Sequence, residues 1–346
     1  MILSIGVAFA LGALIIWVVH RALLKPPPAK KCGFPNGPAM TSPRVQLHDG
    51  RYLAYRELGV SKEEAQFKVI ICHGLDSCKD MELPISQELM EELKVYILIY
   101  DRAGYCESDA YPARSVKSEA FDIQELADKL EIGTKFYVIG CSVGAHAIWS
   151  CLKYIPHRLL GASMVVPTVN FWWPSLPSAL SQQSFNKLPQ SYKRTLWIAH
   201  YTPWLFYWWM TQKWFPKLGR EGVFSDSDEI ILNRLLERPE QKKVLQQGQH
   251  DSFNRDILCS YGKWEFDLMA LTNPFPDNKG SVHMWQGSED RMVPIELNHF
   301  IAQKLTWIQY HEIPNHGHLL VHEAEPFEAI LRALLAPPSI SSEATL

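Results

Sequence analysis

Phe136-Tyr137-Val138-Ile139-Gly140-Cys141-Ser142-Val143-Gly144-Ala145-His146-Ala147-Ile148-Trp149 is the stretch whose reading decides the fold. Four apolar, mostly β-favouring residues run straight into Gly-Cys-Ser-Val-Gly. Beyond them the apolar side chains recur at helical spacing: Val143, Ala147, Ile148, Cys151 and Leu152. A strand that reverses into a helix within about two residues holds the residue at the bend in a strained backbone conformation. Gly140 and Gly144 carry no side chain, so strand and helix can close on each other there. The serine hydroxyl is left at a sharp tip with the Val143 amide beside it at a helix N-terminus, the arrangement of a nucleophile elbow. The five-residue pattern alone would arise by chance in roughly one chain in ten of this length. A glycine-flanked turn serine is therefore the bland alternative. The strand before and the helix after favour the elbow, which then needs a base, an orienting acid and an oxyanion hole.

At 346 residues, 47% hydrophobic and 21% charged, the chain can bury one large core or two modest ones. A net charge of −3 gives no reason to expect a nucleic-acid partner. The seven cysteines are odd in number and form no C-x-x-C pair, which reads as free thiols in a reducing compartment rather than a disulfide framework.

Taken in order, residues 1–20 are almost free of charge and long enough to span a bilayer's hydrocarbon core. Basic residues follow (Arg21, Lys25, Lys30, Lys31), and no acid precedes Asp49. The positive-inside rule then puts the bulk of the chain in the cytosol, on a single-pass anchor. A cleaved signal peptide with a lumenal enzyme is the competing reading. Residues 21–44 form a basic, proline-rich linker, Lys25-Pro26-Pro27-Pro28 onward, which proline makes stiff and extended. Apolar helix, basic residues and proline hinge together resemble the anchor of endoplasmic-reticulum cytochromes P450, and that analogy sets the expected membrane.

Folded structure is expected from Val45. The run Val45–Tyr55 alternates about Asp49-Gly50, a hairpin signal. Apolar strands are expected at Lys68–Cys72, Val95–Tyr100, Gly161–Pro167, Val282–Trp285 and Trp307–His311, with helices over Ser118–Leu130 and about Pro326–Leu335. Fully apolar strands alternating with helices imply a parallel sheet covered on both faces. In such sheets the active groups gather at the carboxyl ends of the strands.

Those ends carry the candidates. Gln286-Gly287-Ser288-Glu289-Asp290-Arg291-Met292-Val293-Pro294 follows one strand, and Ile313-Pro314-Asn315-His316-Gly317-His318-Leu319 follows another. The order Ser142, Asp290, His318 is that of the α/β-hydrolases. With His73-Gly74, Asp101-Arg102-x-Gly104 and Gly317-His318, residues 45–336 resemble an α/β-hydrolase of the plant-like, membrane-anchored kind. The resemblance implies a mostly parallel central sheet with helices on both faces and an inserted helical cap. It also implies Leu75 N–H as the second oxyanion donor beside Val143 N–H.

A serine hydroxyl needs a neighbouring imidazole to take its proton, a role for His318, with Asp290 holding the tautomer. Several alternatives stay open. Asp290 could cap the helix after Pro294 while Glu289 or Asp101 partners the histidine, and His316 could stand in for His318. His311, His316, His318 and His322 could be read as metal ligands, but no partner has zinc-site spacing, so no metal or cofactor is expected. His73 is assigned to shaping the oxyanion turn, Asp101 and Arg102 to a structural pair. His146 has no assigned role.

Residues 171–275 are too long for a connection and are expected to be the cap, between a core of 45–170 and 276–336; 337–346 is expected to be a disordered tail. Eight of the twelve tryptophans fall in the cap. Trp172, Trp173 and Trp208 are candidate substrate contacts, and the run 202–210 is apolar on every side of a helix, able to meet an apolar substrate or a bilayer surface. Residues 219–256 are polar and read as a solvated outer helix pair. The expected function is a serine hydrolase of a lipophilic carboxylic ester, with a small-molecule or lipid substrate. Acyl transfer from the same acyl-serine, or a ligand receptor on the same fold, are the rivals.

Overall fold

A computed structural model describes residues 11–14, 17, 24–215, 218–219 and 222–336. Eight strands form one sheet: β1 (Arg44–Gln46), β2 (Tyr52–Gly59), β3 (Phe67–Cys72), β4 (Val95–Tyr100), β5 (Phe136–Cys141), β6 (Leu159–Val165), β7 (Val282–Gly287) and β8 (Ile308–Ile313). Their order is β1-β2-β4-β3-β5-β6-β7-β8. The first hairpin turns about Asp49-Gly50 as expected, with Val45 opposite Leu53, and β2 runs antiparallel to β4; every later pairing is parallel. The order reverses direction between β3 and β5, so a crevice opens outside the carboxyl ends of those two strands, where ligands of open α/β sheets bind.

Side chains alternate across the central strands and feed two cores. Ile70, Cys72, Leu98 and Val138 face one side, where they pack against α2 (Val116–Lys129), α3 (Ala145–Tyr154) and α9 (Ile295–Lys304). Val69, Ile71, Ile97, Ile99 and Ile139 face the other, against α1 (Gln87–Glu92) and α10 (Ala324–Leu335). Burial on both faces is why these strands read as unbroken apolar runs. α2 starts where Ser115 and Ser118 exchange capping hydrogen bonds, two residues before the boundary expected from periodicity.

Between β6 and β7 the chain inserts α4 (Ser178–Lys187), α5 (Gln190–Tyr201), α6 (Phe206–Thr211), α7 (Asp226–Glu237) and α8 (Arg255–Tyr261). The insertion roofs the carboxyl ends of the strands.

The amino-terminal expectations need correction. Among the described residues no helix is long and apolar enough to cross a membrane, which overturns the expected single-pass location in the endoplasmic reticulum and its membrane partner. Most of 1–20, and all of 337–346, lie outside the described residues. The proline-rich segment, expected to be a stiff, extended linker, makes contacts with the folded body. Lys30 N–H donates to Gln247 O at 2.8 Å, Cys32 is buried, and Thr41 and Ser42 donate their amides to Glu107. Proline forbids ladder pairing there, so the backbone is satisfied by loop carbonyls and one carboxylate instead.

Candidate active site

At the end of β5 Ser142 adopts φ +52, a region few residues with a side chain tolerate. The strain is held by close packing on both sides. A Cβ at Gly140 would sit 2.8 Å from the Ala145 Cα, and one at Gly144 would sit 2.4 Å from the Cys72 carbonyl. Only glycine lets α3 return so tightly over β3 and β5. The Ser142 hydroxyl thereby reaches the crevice.

Two loops meet it there. His318 Nε2 lies 2.9 Å from Ser142 Oγ, and His318 Nδ1 lies 2.9 Å from Asp290 Oδ2. A carboxylate only accepts, so Nδ1 carries the proton and Nε2 is left to accept from the serine. Burial works against a charged imidazole, but the charge and hydrogen bond of Asp290, with Asp228 beyond it, outweigh that and raise the His318 pKa above its ordinary value. Asp290 also takes the amides of Met292 and Val293, so capping the next turn and holding the histidine are one carboxylate's two tasks. His316 turns to the Pro314 carbonyl, and Asp101 takes the amides of Lys79 and Glu107. Neither reaches Ser142. The other histidines do not converge: His311 faces His283, and His322 bonds the Glu82 carbonyl.

The turn after β3 is set by a buried arginine. His73 Nε2 accepts the Arg102 amide at 3.0 Å, which fixes Nδ1 as donor to Gly74 O at 2.8 Å. Arg102 reaches the carbonyls of His73 and Gly74 at 3.0 and 3.1 Å. A trans peptide opposes its carbonyl and its N–H, so Leu75 N–H points away from Arg102. Leu75 and Val143 both line the cavity with Ser142. Arg102 does not pair with Asp101 as expected; it pairs with Asp256 of α8, as do Arg114 and Tyr105. Burial opposes the Asp256 charge, yet the two guanidiniums win and hold its pKa down to about 2.

Three polar residues at the site escaped the sequence reading. Thr168 Oγ1 lies 3.3 Å from Ser142 Oγ, just past the carboxyl end of β6, where strand-end reasoning could have found it. Gln286, held by Asn298, donates to Asp290 at 2.9 Å. Asp228 at the start of α7 accepts the amides of His318 at 3.0 Å and Leu319 at 2.7 Å. A Cβ at Gly317 would sit 2.1 Å from that carboxylate, which explains a glycine beside the histidine. Ser225 and Asp228 form a capping box at the start of α7, and nothing in that local pattern points ninety residues ahead. His146, unassigned before, is buried between Thr168 O and Ser260 Oγ, and burial pushes its pKa down to about 4.

A cavity of about 530 Å³ lies over Ser142. Its walls are mostly apolar, with Leu188, Leu196, Leu232, Leu235, Leu236 and Leu245 beside Tyr192, Phe224, Phe253 and Tyr261, while Asp80, Glu82, Arg238 and Glu240 also line it. The wall residues of α7 come from the segment expected to be a solvated outer pair. None of Trp172, Trp173 and Trp208 is among the described lining residues. Trp172 stacks on His200, Trp173 is buried edge-on against Trp264, and Trp208 is half-buried in α6. Ring against ring gains more than ring against an open cavity, so Trp172 and Trp173 pack the insertion itself.

Residues 69–333 match the model of the alpha/beta hydrolase family. No curated protein matches the sequence. Among solved structures, an alpha/beta hydrolase fold protein from Chitinophaga pinensis has TM-score 0.57 at 18% identity, covering 86% of this chain and 98% of its own. A thermophilic esterase from Thermogutta terrifontis has TM-score 0.52 at 19% identity, covering 85% and 98%. A monoacylglycerol lipase from Paleococcus ferrophilus has TM-score 0.52 at 17% identity, covering 82% and 98%. At these identities the likeness is one of fold. The family match bears out the family and the fold likeness the sheet architecture, and neither supports the plant-like, membrane-anchored kind.

Proposed function

The chain belongs to the alpha/beta hydrolase family, and from that premise we propose that it hydrolyses a carboxylic ester with a long apolar acyl group, through an acyl-enzyme on Ser142. The observation that carries the reading is the continuous chain Asp290–His318–Ser142, both links 2.9 Å, opening into a mostly apolar cavity. His318 takes the serine proton as Oγ attacks the ester carbon. The imidazolium so formed is stabilised by Asp290, then returns the proton to the leaving alcohol. The tetrahedral oxyanion is met by Val143 N–H and Leu75 N–H. Water repeats the sequence against the acyl-serine and frees the acid.

In this reading residues 45–170 and 276–336 are the catalytic core and 171–275 a cap whose leucines receive the acyl chain. Thr168 holds the serine hydroxyl in place before attack.

Turnover of nitrophenyl esters of increasing acyl length tests this. Each methylene that enters the cavity is worth about 0.8 kcal/mol, so kcat/KM should rise about fourfold per carbon until the cavity fills. Leu235→Trp should flatten that rise and leave short esters alone. A flat profile in the wild-type protein would refute the acyl assignment, and ester turnover unchanged in Ser142→Ala would refute the nucleophile.

A further inference from the structure

The outward face of the insertion carries charge and rings that the proposed reaction does not use. From Ile132 to Arg220 the sequence contains no aspartate or glutamate, although the whole chain has 37 acidic residues against 34 basic. Lys187, Lys193, Arg194 and Lys213 all fall in this acid-free span. Only Lys187 is tied to a carboxylate, Glu296 of α9, among the pairs the described residues form. The insertion's segment 171–220 therefore has basic residues and no acid, on a chain whose net charge is −3.

Aromatic side chains stand among these cations. α5 buries Thr195, Leu196 and Ala199 and exposes Arg194, Trp197 and Tyr201 on its opposite face, at the spacing of one helical stripe. The Trp197 and Tyr201 rings lie 5.1 Å apart. The Arg194 guanidinium sits 5.7 Å over the Phe215 ring, which stacks on Trp209. Trp204 is 65% exposed and Trp214 80% exposed. A groove of about 620 Å³ joins Trp197, Ile198 and Phe215 to Lys193 and Arg194. Rings left in water at this density mark an interaction face rather than ordinary surface.

We propose that this face docks peripherally on an anionic phospholipid bilayer, with the Trp197, Tyr201, Trp204 and Trp214 side chains in the headgroup layer and Lys193, Arg194 and Lys213 against lipid phosphates. Trp and Tyr are suited to that depth because their rings are apolar and their N–H or O–H groups stay wet. A helix with aromatics and cations on its exposed face lies in the plane of the interface. Charge complementarity selects a lipid surface of negative sign over an apolar protein groove, which would have no use for the cations.

The inner face of the same helix is a wall of the reactive cavity. Tyr192 and Leu196 line the cavity from α5, and Leu218 and Gly219, a few residues past Trp214, line it too. Tyr192 ties the two segments by donating its hydroxyl to Gly219 O at 2.8 Å. Lipid and cavity are thus separated by about one helix diameter, 10–12 Å. An apolar ester dissolved in the bilayer would leave it next to Ser142. Docking itself does not depend on the serine chemistry.

The test is co-sedimentation of the full chain with vesicles of phosphatidylcholine alone or of equal parts phosphatidylcholine and phosphatidylserine. Trp204→Ala/Trp214→Ala is the variant, and Ser142→Ala the control. Wild type and Ser142→Ala should bind the serine-lipid vesicles alike, more weakly in high salt. The double variant should lose about tenfold or more in partitioning while still turning over a soluble short-chain ester as wild type does. Arg194→Gln should lose about fivefold, the share of one cation near such a surface. Equal binding by the double variant and wild type would overturn the proposal. So would equal binding to neutral and anionic vesicles, or wild-type self-association through this face without lipid. Failure of ester turnover with lipid binding intact would count against the hydrolase reading and leave docking standing.

Discussion

In the floor of the cavity the proposed reacting groups, Ser142, Asp290 and His318, stand on loops at the carboxyl ends of β5, β7 and β8, and the parallel sheet sets their spacing. In the roof the corresponding polar groups are carboxylates on helices. Asp228 of α7 reaches the histidine loop, and Asp256 of α8 reaches Arg102 and through it the turn before Leu75. The floor could be assembled by strand register alone. The roof adds a second set of constraints on the same atoms, one on the base and one on the oxyanion turn. A roof so attached is a structural part of the site as well as its cover.

Substitutions in the floor and roof should therefore fail differently. Asp290→Asn should cost the most, about 10⁴-fold in kcat, because the amide favours the wrong His318 tautomer while folding is kept; kinetics beside a melting curve would show it. Asp256→Ala leaves two buried guanidiniums with Glu119 as their one remaining carboxylate partner among the described residues, and chemical denaturation should report about 3 kcal/mol lost. Equal stability of that variant would mean the roof is not anchored through Arg102.

Asp228→Asn is the finer probe. Losing a charged acceptor for two amides should remove about 1.5–3 kcal/mol of stability. It also removes a negative charge that raises the His318 pKa. His318 must be neutral to act, so activity climbs as pH rises through its pKa, which lies above the ordinary 6.5. The variant's rising limb should shift to lower pH. An unmoved limb would reduce Asp228 to a helix cap. Trp208→Phe should have the smallest effect, less than about twofold in kcat/KM for short and long esters alike, since the ring is not among the cavity-lining residues. A selective loss with long esters would return Trp208 to the cavity wall.

The floor was largely legible because each of its signals is local. Apolar runs bounded by Gly-rich ends gave the strands, Asp49-Gly50 gave the hairpin, and Ser142, Asp290 and His318 came in an order that only a few folds share. Residue spacing could not separate His318 from His316, since two residues along a loop can point anywhere. The roof was misread for a related reason. Tryptophans suggest burial without showing against what: here Trp172 stacks on His200 and Trp173 packs on Trp264, while Trp197, Trp204 and Trp214 stay exposed. The cavity instead takes Leu232, Leu235 and Leu236, whose helical spacing was present in the sequence but was outweighed by the charged residues around them. Asp228 needed a contact ninety residues away. The first twenty residues were read as a spanning anchor from composition alone, and no described helix fits that reading.

The most direct measurement is the rate of fluorophosphonate labelling of the folded wild-type chain across pH, read by intact mass with Ser142→Ala beside it. The account predicts a single adduct, absent in Ser142→Ala, whose rate rises through a midpoint above 6.5. No adduct on the folded wild type, or one that persists in Ser142→Ala, would contradict the activated serine.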